Sequence, residues 1–94
     1  MEDQSYNGYT NYETWCINLW IDNDQGLYDM IYSAARRIAV KTSAVREIAD
    51  MVKELVEEMR PELPASMYSD LLKTAIDRCN FREIAENIIE GIEE

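Results

Sequence analysis

From Val45 to Met59 the apolar residues Val45, Ile48, Ala49, Val52, Leu55, Val56 and Met59 recur every three or four positions. That repeat matches the 3.6-residue turn of a helix that buries one face, and the width of the stripe makes this helix the spine of a core. No stretch of the chain alternates apolar and polar residues with period two, so a sheet has nothing to build from. The expected class is all-α, a compact bundle of about five short helices.

Other helices follow from their start and stop signals. Thr10 with Glu13 three residues later has the form of a capping box, starting helix one, expected from about Asn11 to Ile21. Tyr12, Trp15, Cys16, Leu19 and Trp20 line its inward face. Asp22-Asn23-Asp24-Gln25-Gly26 ends it, and Asn23 or Asp24 caps helix two, with Leu27, Met30, Ile31, Ala34 and Ile38 on one stripe. A link at Lys41 to Ser43 leads into the spine helix. Pro61 and Pro64 flank an Arg60-to-Leu63 connection, because proline removes a helix donor and restricts the residue before it. Helix four carries Tyr68, Leu71, Leu72, Ala75, Ile76 and Cys79 inward. Asn80 with Glu83 forms a second box that starts helix five, whose apolar set is Phe81, Ile84, Ala85, Ile88, Ile89 and Ile92. Ahead of all five, Met1 to Tyr9 reads as a polar arm with a turn signal at Asn7-Gly8.

With 94 residues, one core is all the chain can build, so residues 1–94 are expected to form a single domain. No run of about 18 apolar residues exists, and Met1-Glu2-Asp3-Gln4 is acidic and polar, which excludes a membrane span and a signal peptide and predicts a cytoplasmic protein. Cys16 and Cys79 lie on apolar helical faces without a CxxC or Cys/His partner. They suit buried reduced thiols better than a disulfide framework, although spacing alone leaves a bridge between them open.

The net charge of −10 is unevenly spread. Residues 1–35 hold six acids, Glu2, Asp3, Glu13, Asp22, Asp24 and Asp29, and no base, whereas residues 36–60 hold six bases to five acids. Such a chain repels phosphate backbones and is drawn to basic protein surfaces, so the expected partner is a basic nucleic-acid-binding protein or complex, with no direct nucleic acid and no membrane.

Catalysis lacks its usual parts. The chain has no histidine, so a nucleophile–base pair is hard to assemble, and the two cysteines fall where packing explains them. Asp22-x-Asp24-x-Gly26 resembles the start of a calcium loop. Counted from Asp22, however, the glycine falls fifth rather than sixth, and the twelfth residue is Ser33 rather than an acid. The reading is a non-enzyme with no cofactor and no metal.

Seven of the nine aromatic residues lie between Tyr6 and Tyr32, which sets two readings against each other. In one, Trp15 and Trp20 anchor the core with tyrosines at its rim. In the other, Tyr6, Tyr9, Tyr12 and Tyr28 stand partly exposed beside Glu13, Asp22, Asp24 and Asp29, the aromatic anchors ringed by charge that a protein-binding patch needs. Helix five adds Glu83, Glu86, Glu90, Glu93 and Glu94. Glu86 and Glu90 either belong to a solvated face or imitate successive phosphates in a partner's nucleic-acid groove.

Asn7-Gly8-Tyr9-Thr10-Asn11-Tyr12-Glu13-Thr14-Trp15, continuing through Asn18-Leu19-Trp20-Ile21-Asp22-Asn23-Asp24, resembles the signature of a family of short proteins common in phages and plasmids. Phe81-Arg82-Glu83-Ile84-Ala85-Glu86 matches that family's closing aromatic-plus-helix segment, so the likeness covers both ends and leaves a divergent middle. Tyr9 departs from it, standing where the family often has tryptophan. The motif carries no assigned chemistry. The resemblance implies a mobile-element origin and, by analogy with other small acidic proteins of such elements, an anti-defence role. The expected function is therefore a non-catalytic inhibitor of a host defence nuclease or CRISPR complex, acting in the host cytoplasm through Tyr6, Tyr9, Tyr12, Glu13, Asp22, Asp24, Tyr28, Asp29, Glu86 and Glu90. The alternative is a small structural or regulatory helical oligomer, such as a homodimer, assembled through surplus apolar surface on helices three and five.

Overall fold

The computed structural model describes residues 6–60 and 66–93. Residues 1–5 of the expected arm, Pro61 and Pro64 of the expected connection, and Glu94 lie outside that range. Within it the chain forms five helices: α1 (Tyr12–Asn23), α2 (Gln25–Ile38), α3 (Ala44–Glu58), α4 (Met67–Arg78) and α5 (Phe81–Glu93). An isolated antiparallel bridge between Tyr6 and Tyr9 is the sole β feature among the described residues, so the all-α expectation holds.

The most extensive packing joins α3 to α5. Ile48 and Val52 of α3 meet Ile84, Ala85 and Ile88 of α5 at full burial, because both helices place their β-branched residues on a single 3.6-period stripe. Ile31 and Ala35 of α2 close the same core, with Ile21, Tyr32, Ile76, Cys79 and Phe81 around it. The spine assigned to the Val45–Met59 stripe is thus found where the periodicity puts it, except that Met59 is half exposed.

Three helices depart in part from their expected inward faces. In α1 the buried residues are Thr14, Asn18 and Ile21, while Trp20 is 63% exposed and Leu19 and Tyr12 also face outward. The inward face of this helix joins the polar Thr14 and Asn18 to Ile21, so hydrogen bonds share its anchoring with apolar contacts at Ile21 and Ile17. Trp20 therefore anchors no core. In α2 the buried line is Ile31, Tyr32 and Ala35, which leaves Met30 half exposed. In α4 only Ile76 is fully buried within the helix; Tyr68 is 70% and Leu71 60% exposed. That helix packs chiefly on α1, so a single neighbour covers part of an apolar stripe too wide for it.

The helix starts also differ in detail. Asn11, not Thr10, caps α1, its side chain accepting from the Thr14 backbone N–H at 3.0 Å. Asp24 caps α2 as expected, accepting from Leu27 N at 3.0 Å. Asn80 caps α5 by accepting from Glu83 N at 3.1 Å, but the Glu83 carboxylate does not complete a box. It accepts instead from the Thr10 backbone N–H at 2.9 Å, across the fold.

Candidate functional site

The N-terminal segment folds back on itself. Asn7 and Gly8 both adopt positive φ, at 48° and 88°, and Tyr6 and Tyr9 exchange N–H to carbonyl bonds of 2.8 Å in both directions. This is a two-residue hairpin turn, for which Asn-Gly is the favoured pair because both positions need left-handed backbone. Within the segment read as a polar arm, residues 6–9 thus close a turn at the Asn7-Gly8 signal.

The turn delivers its two tyrosines to different places. Tyr6 packs edge-on to Tyr12, with ring centroids 5.2 Å apart, and lies 4.9 Å from Trp15, while Tyr12 and Trp15 are 5.6 Å apart. Helical spacing puts Tyr12 and Trp15 one turn apart on α1, and the hairpin drops Tyr6 onto both. Tyr6 and Tyr12 remain exposed, Trp15 half-buried.

Beside this cluster runs an apolar groove of about 280 Å³, to which α1 supplies Tyr12, Cys16 and Ile17, α3 and its exit Val56 and Met59, and α4 Leu72 and Ile76. Glu13 and Arg60 stand at its margin. The exposed Tyr68 and Leu71 precede Leu72 on α4 and extend the apolar surface along that helix. Sequence reading missed Cys16, Met59, Leu71 and Leu72 as surface contributors. The available signal was the breadth of the α4 apolar set, which exceeds what one neighbour covers.

Tyr9 and Tyr28 belong elsewhere and face inward. Tyr28 stacks on the buried Tyr32 with ring centroids 4.2 Å apart. Tyr9 is half-buried, and burial, followed by the nearby charges of Asp22 and Glu83, raises its hydroxyl pKa. Burial likewise raises the Tyr32 hydroxyl, with Asp22 the next contributor. Asp22 itself is raised by burial, opposed by a hydrogen bond from the Asn18 amide at 3.1 Å. Tyr9, Tyr28 and Tyr32 are thus half-buried or buried, while Asp22, whose charge acts on Tyr9 and Tyr32, is exposed at the end of α1.

The remaining predicted acids have individual fates. Glu13 pairs with Arg78 at 3.2 Å, and Glu86 with Arg82 at 3.2 Å. Asp24 is committed to its cap, and Asp29 accepts from Gln25 at 2.9 Å. Glu90 is exposed. The structure thus brings Tyr6, Tyr12 and Glu13 together at the groove and separates them from Tyr9, Asp22 and Tyr28.

Much of the Asn7-to-Trp15 signature and of the segment near Phe81 is spent on one clasp. Asn11 donates its amide to the Arg78 carbonyl at 2.9 Å, and its Oδ1 accepts from the Thr14 hydroxyl at 2.6 Å. The Thr14 hydroxyl in turn accepts the Asn80 backbone N–H at 2.8 Å, and the Asn80 amide reaches the Thr10 hydroxyl at 3.1 Å. The start of α1 is thereby tied to the α4–α5 junction.

Both cysteines are free thiols, Cys79 buried and Cys16 half-buried. Burial pushes the Cys79 thiol up to about 11, against a hydrogen bond with Thr14 that works in the other direction. Among the described residues no group of three or more cysteine or carboxylate side chains is placed to hold a metal ion, and no helix is long and apolar enough to cross a membrane.

A protein-family model described as a family of unknown function, DUF7249, matches residues 2–93. No curated protein and no solved structure matches the chain.

Proposed function

We propose that this chain, which belongs to the DUF7249 family of unknown function, is a non-catalytic protein-binding inhibitor carried by a mobile element. In this reading it blocks a host defence nuclease or CRISPR complex in the host cytoplasm by docking on a basic, nucleic-acid-binding protein surface. The observation that carries the reading is the Tyr6–Tyr12–Trp15 cluster, exposed at the edge of the apolar groove. Aromatic side chains give large contact area for little conformational entropy, and binding hot spots concentrate on such anchors beside pockets. The net charge of −10 favours a basic partner and disfavours direct nucleic-acid contact. The mobile-element origin and the anti-defence role rest on the resemblance of Asn7–Asp24 and Phe81–Glu86 to short phage and plasmid proteins.

Docking through the aromatic edge is better supported than mimicry of nucleic acid. Of the acids along α5, Glu83 is held by Thr10 and Glu86 pairs with Arg82, which breaks up the row that would stand in for phosphates.

The test is expression of the chain in bacteria that carry defined restriction or CRISPR systems and are challenged with a targeted phage. Plaque formation is expected to recover by orders of magnitude, and the recovery to be lost in the Tyr6→Ala/Tyr12→Ala double variant. If no system in such a panel is relieved, the inhibitor reading fails. One observation favours a second reading, a helical homo-oligomer: Met67, Tyr68 and Leu71 stand exposed on α4. In that reading self-association would run through α4 rather than α3 and α5, whose apolar faces pack on each other. Sedimentation at micromolar concentration separates the readings, because a strict monomer removes the oligomer.

A further inference from the structure

A second groove, of about 250 Å³, lies between α2 and α3 and is independent of the Tyr6–Tyr12 face. Met30, Ile31, Ala34, Met51 and Leu55 form its floor, and Glu54 and Glu58 its charged rim. We infer that this groove docks a basic amphipathic helical segment of a partner protein, with an apolar side chain between Met30 and Met51 and Lys or Arg residues meeting Glu54 and Glu58.

Charge selects the occupant. Both ionisable residues of the lining are carboxylates, and no cation lines the groove. The Glu54 and Glu58 carboxylates are exposed and take part in no hydrogen bond or ion pair among the described residues, unlike those of Glu13, Glu47 and Glu86, which each pair with a base. They sit one turn apart on α3, with Cβ atoms roughly 6 Å from each other, the separation that Lys or Arg residues at i and i+4 of a partner helix reproduce. Methionine suits the floor, since its unbranched, polarisable chain adapts to a variety of apolar side chains. An apolar stripe laid in a groove with basic flanks is an established way for a helix to be held.

A second copy of this chain fits less well. Two chains of net charge −10 repel each other. Seven residues line the groove, whereas a stable dimer face usually takes about 20–30 residues a side.

The test uses the whole chain, labelled at its methionine methyl groups, and a short peptide of leucine and lysine at helical spacing. Addition of peptide is expected to shift the Met30 and Met51 methyl resonances and to leave those of Met59 and Met67 in place. Reversing both rim charges, Glu54→Lys with Glu58→Lys, is expected to weaken binding by about tenfold or more. Reversing two exposed acids on α4, away from the groove, Asp70→Lys with Asp77→Lys, makes the same change in net charge and is expected to alter affinity by no more than about twofold. All of these positions are exposed, and thermal melts of each double variant verify that the fold is kept.

Equal weakening in the two double variants would mean unspecific attraction to an acidic chain and would overturn the inference. So would shifts at Met59 or Met67 in place of Met30 and Met51, or methyl shifts that follow protein concentration without peptide, which would assign the groove to a second copy. A peptide with glutamate at each lysine position is expected not to bind. Tyr6→Ala/Tyr12→Ala leaves this groove intact, so failure of the peptide test and failure of the inhibitor reading are told apart.

Discussion

The Thr14 hydroxyl accepts a hydrogen bond from the backbone N–H of Asn80 at 2.8 Å, part-buried, and donates one to Asn11 Oδ1 at 2.6 Å, buried in the fold. Thr14 is fully buried, so replacing it with valine keeps the shape but leaves the Asn80 backbone N–H without its acceptor and takes from Asn11 Oδ1 one of its two donors, the Thr14 backbone N–H at 3.0 Å remaining. Such a loss costs about 1–3 kcal/mol. Thr14→Val should therefore lower the melting temperature by roughly 4–8 °C for each kcal/mol lost in a domain of this size. Thr10→Ala, which removes only the exposed hydroxyl met by the Asn80 amide, should stay within about 0.5 kcal/mol. Equal effects of the two substitutions would show that Asn11 and Thr14 are not the centre of the clasp.

The clasp also explains which parts of the fold were legible. α3 and α5 could be read directly, because their burial is apolar and periodic, and a periodic stripe carries its own direction. α1 could not. Its inward residues Thr14 and Asn18 are polar and satisfied by partners 66 residues or four residues away, information that a count of apolar side chains does not contain. The same blindness turned Trp20 inward on paper and outward in the fold. α4 misled for a different reason: Tyr68 and Leu71 continue its stripe beyond the area that α1 covers. For the site, Tyr6 and Tyr12 were identifiable from aromatic density, but the separation of Tyr6 from Tyr9 depends on the hairpin at Asn7-Gly8, and Tyr28 is held on α2 by stacking on Tyr32.

Asp22 makes stability depend on pH in a definite direction. Its ordinary value is 3.8, and burial raises it in the folded chain, so the fold binds the proton more readily than the unfolded chain does. Stability is then gained as pH falls through the folded value towards 3.8 and is lost as pH rises through that window. Asp22→Asn removes a partly desolvated charge and keeps an acceptor for Asn18. The variant should be the more stable protein at neutral pH, with an advantage over the native chain that shrinks as the solution is acidified. Urea midpoints across the acidic range measure this, and a constant gap would mean the carboxylate pays no desolvation penalty. The phenol titrations of Tyr9 and Tyr32 should move down in the same variant, because the Asp22 charge helps hold both up.

The two thiols should differ in reactivity by their surroundings. Cys79 is buried and held up to about 11, so little thiolate forms at mildly alkaline pH. Cys16 borders the apolar groove and is partly accessible. A thiol reagent is expected to modify one cysteine rapidly in the native protein and the second only after denaturant is added. Cys16→Ser should abolish the rapid phase; a rapid phase that survives would place Cys79 within reach of solvent.

The two tryptophans offer a reporter for the docking face. Trp15 is half-buried and touches Tyr6 and Tyr12, whereas Trp20 is 63% exposed and makes no ring contact among the described residues. In the native chain, acrylamide should quench mainly Trp20. With Trp20→Phe, the remaining Trp15 emission reports the aromatic edge of the groove, and with Trp15→Phe, the remaining Trp20 emission reports the outer face of α1. If the inhibitor proposal is right, titration with a defence complex relieved in the plaque assay should shift and protect Trp15 in the first variant, and change Trp20 less in the second. The reverse pattern would move the contact from the Tyr6–Tyr12 edge to the Leu19–Trp20 face, where the exposed apolar residues Leu19 and Trp20 stand one after the other.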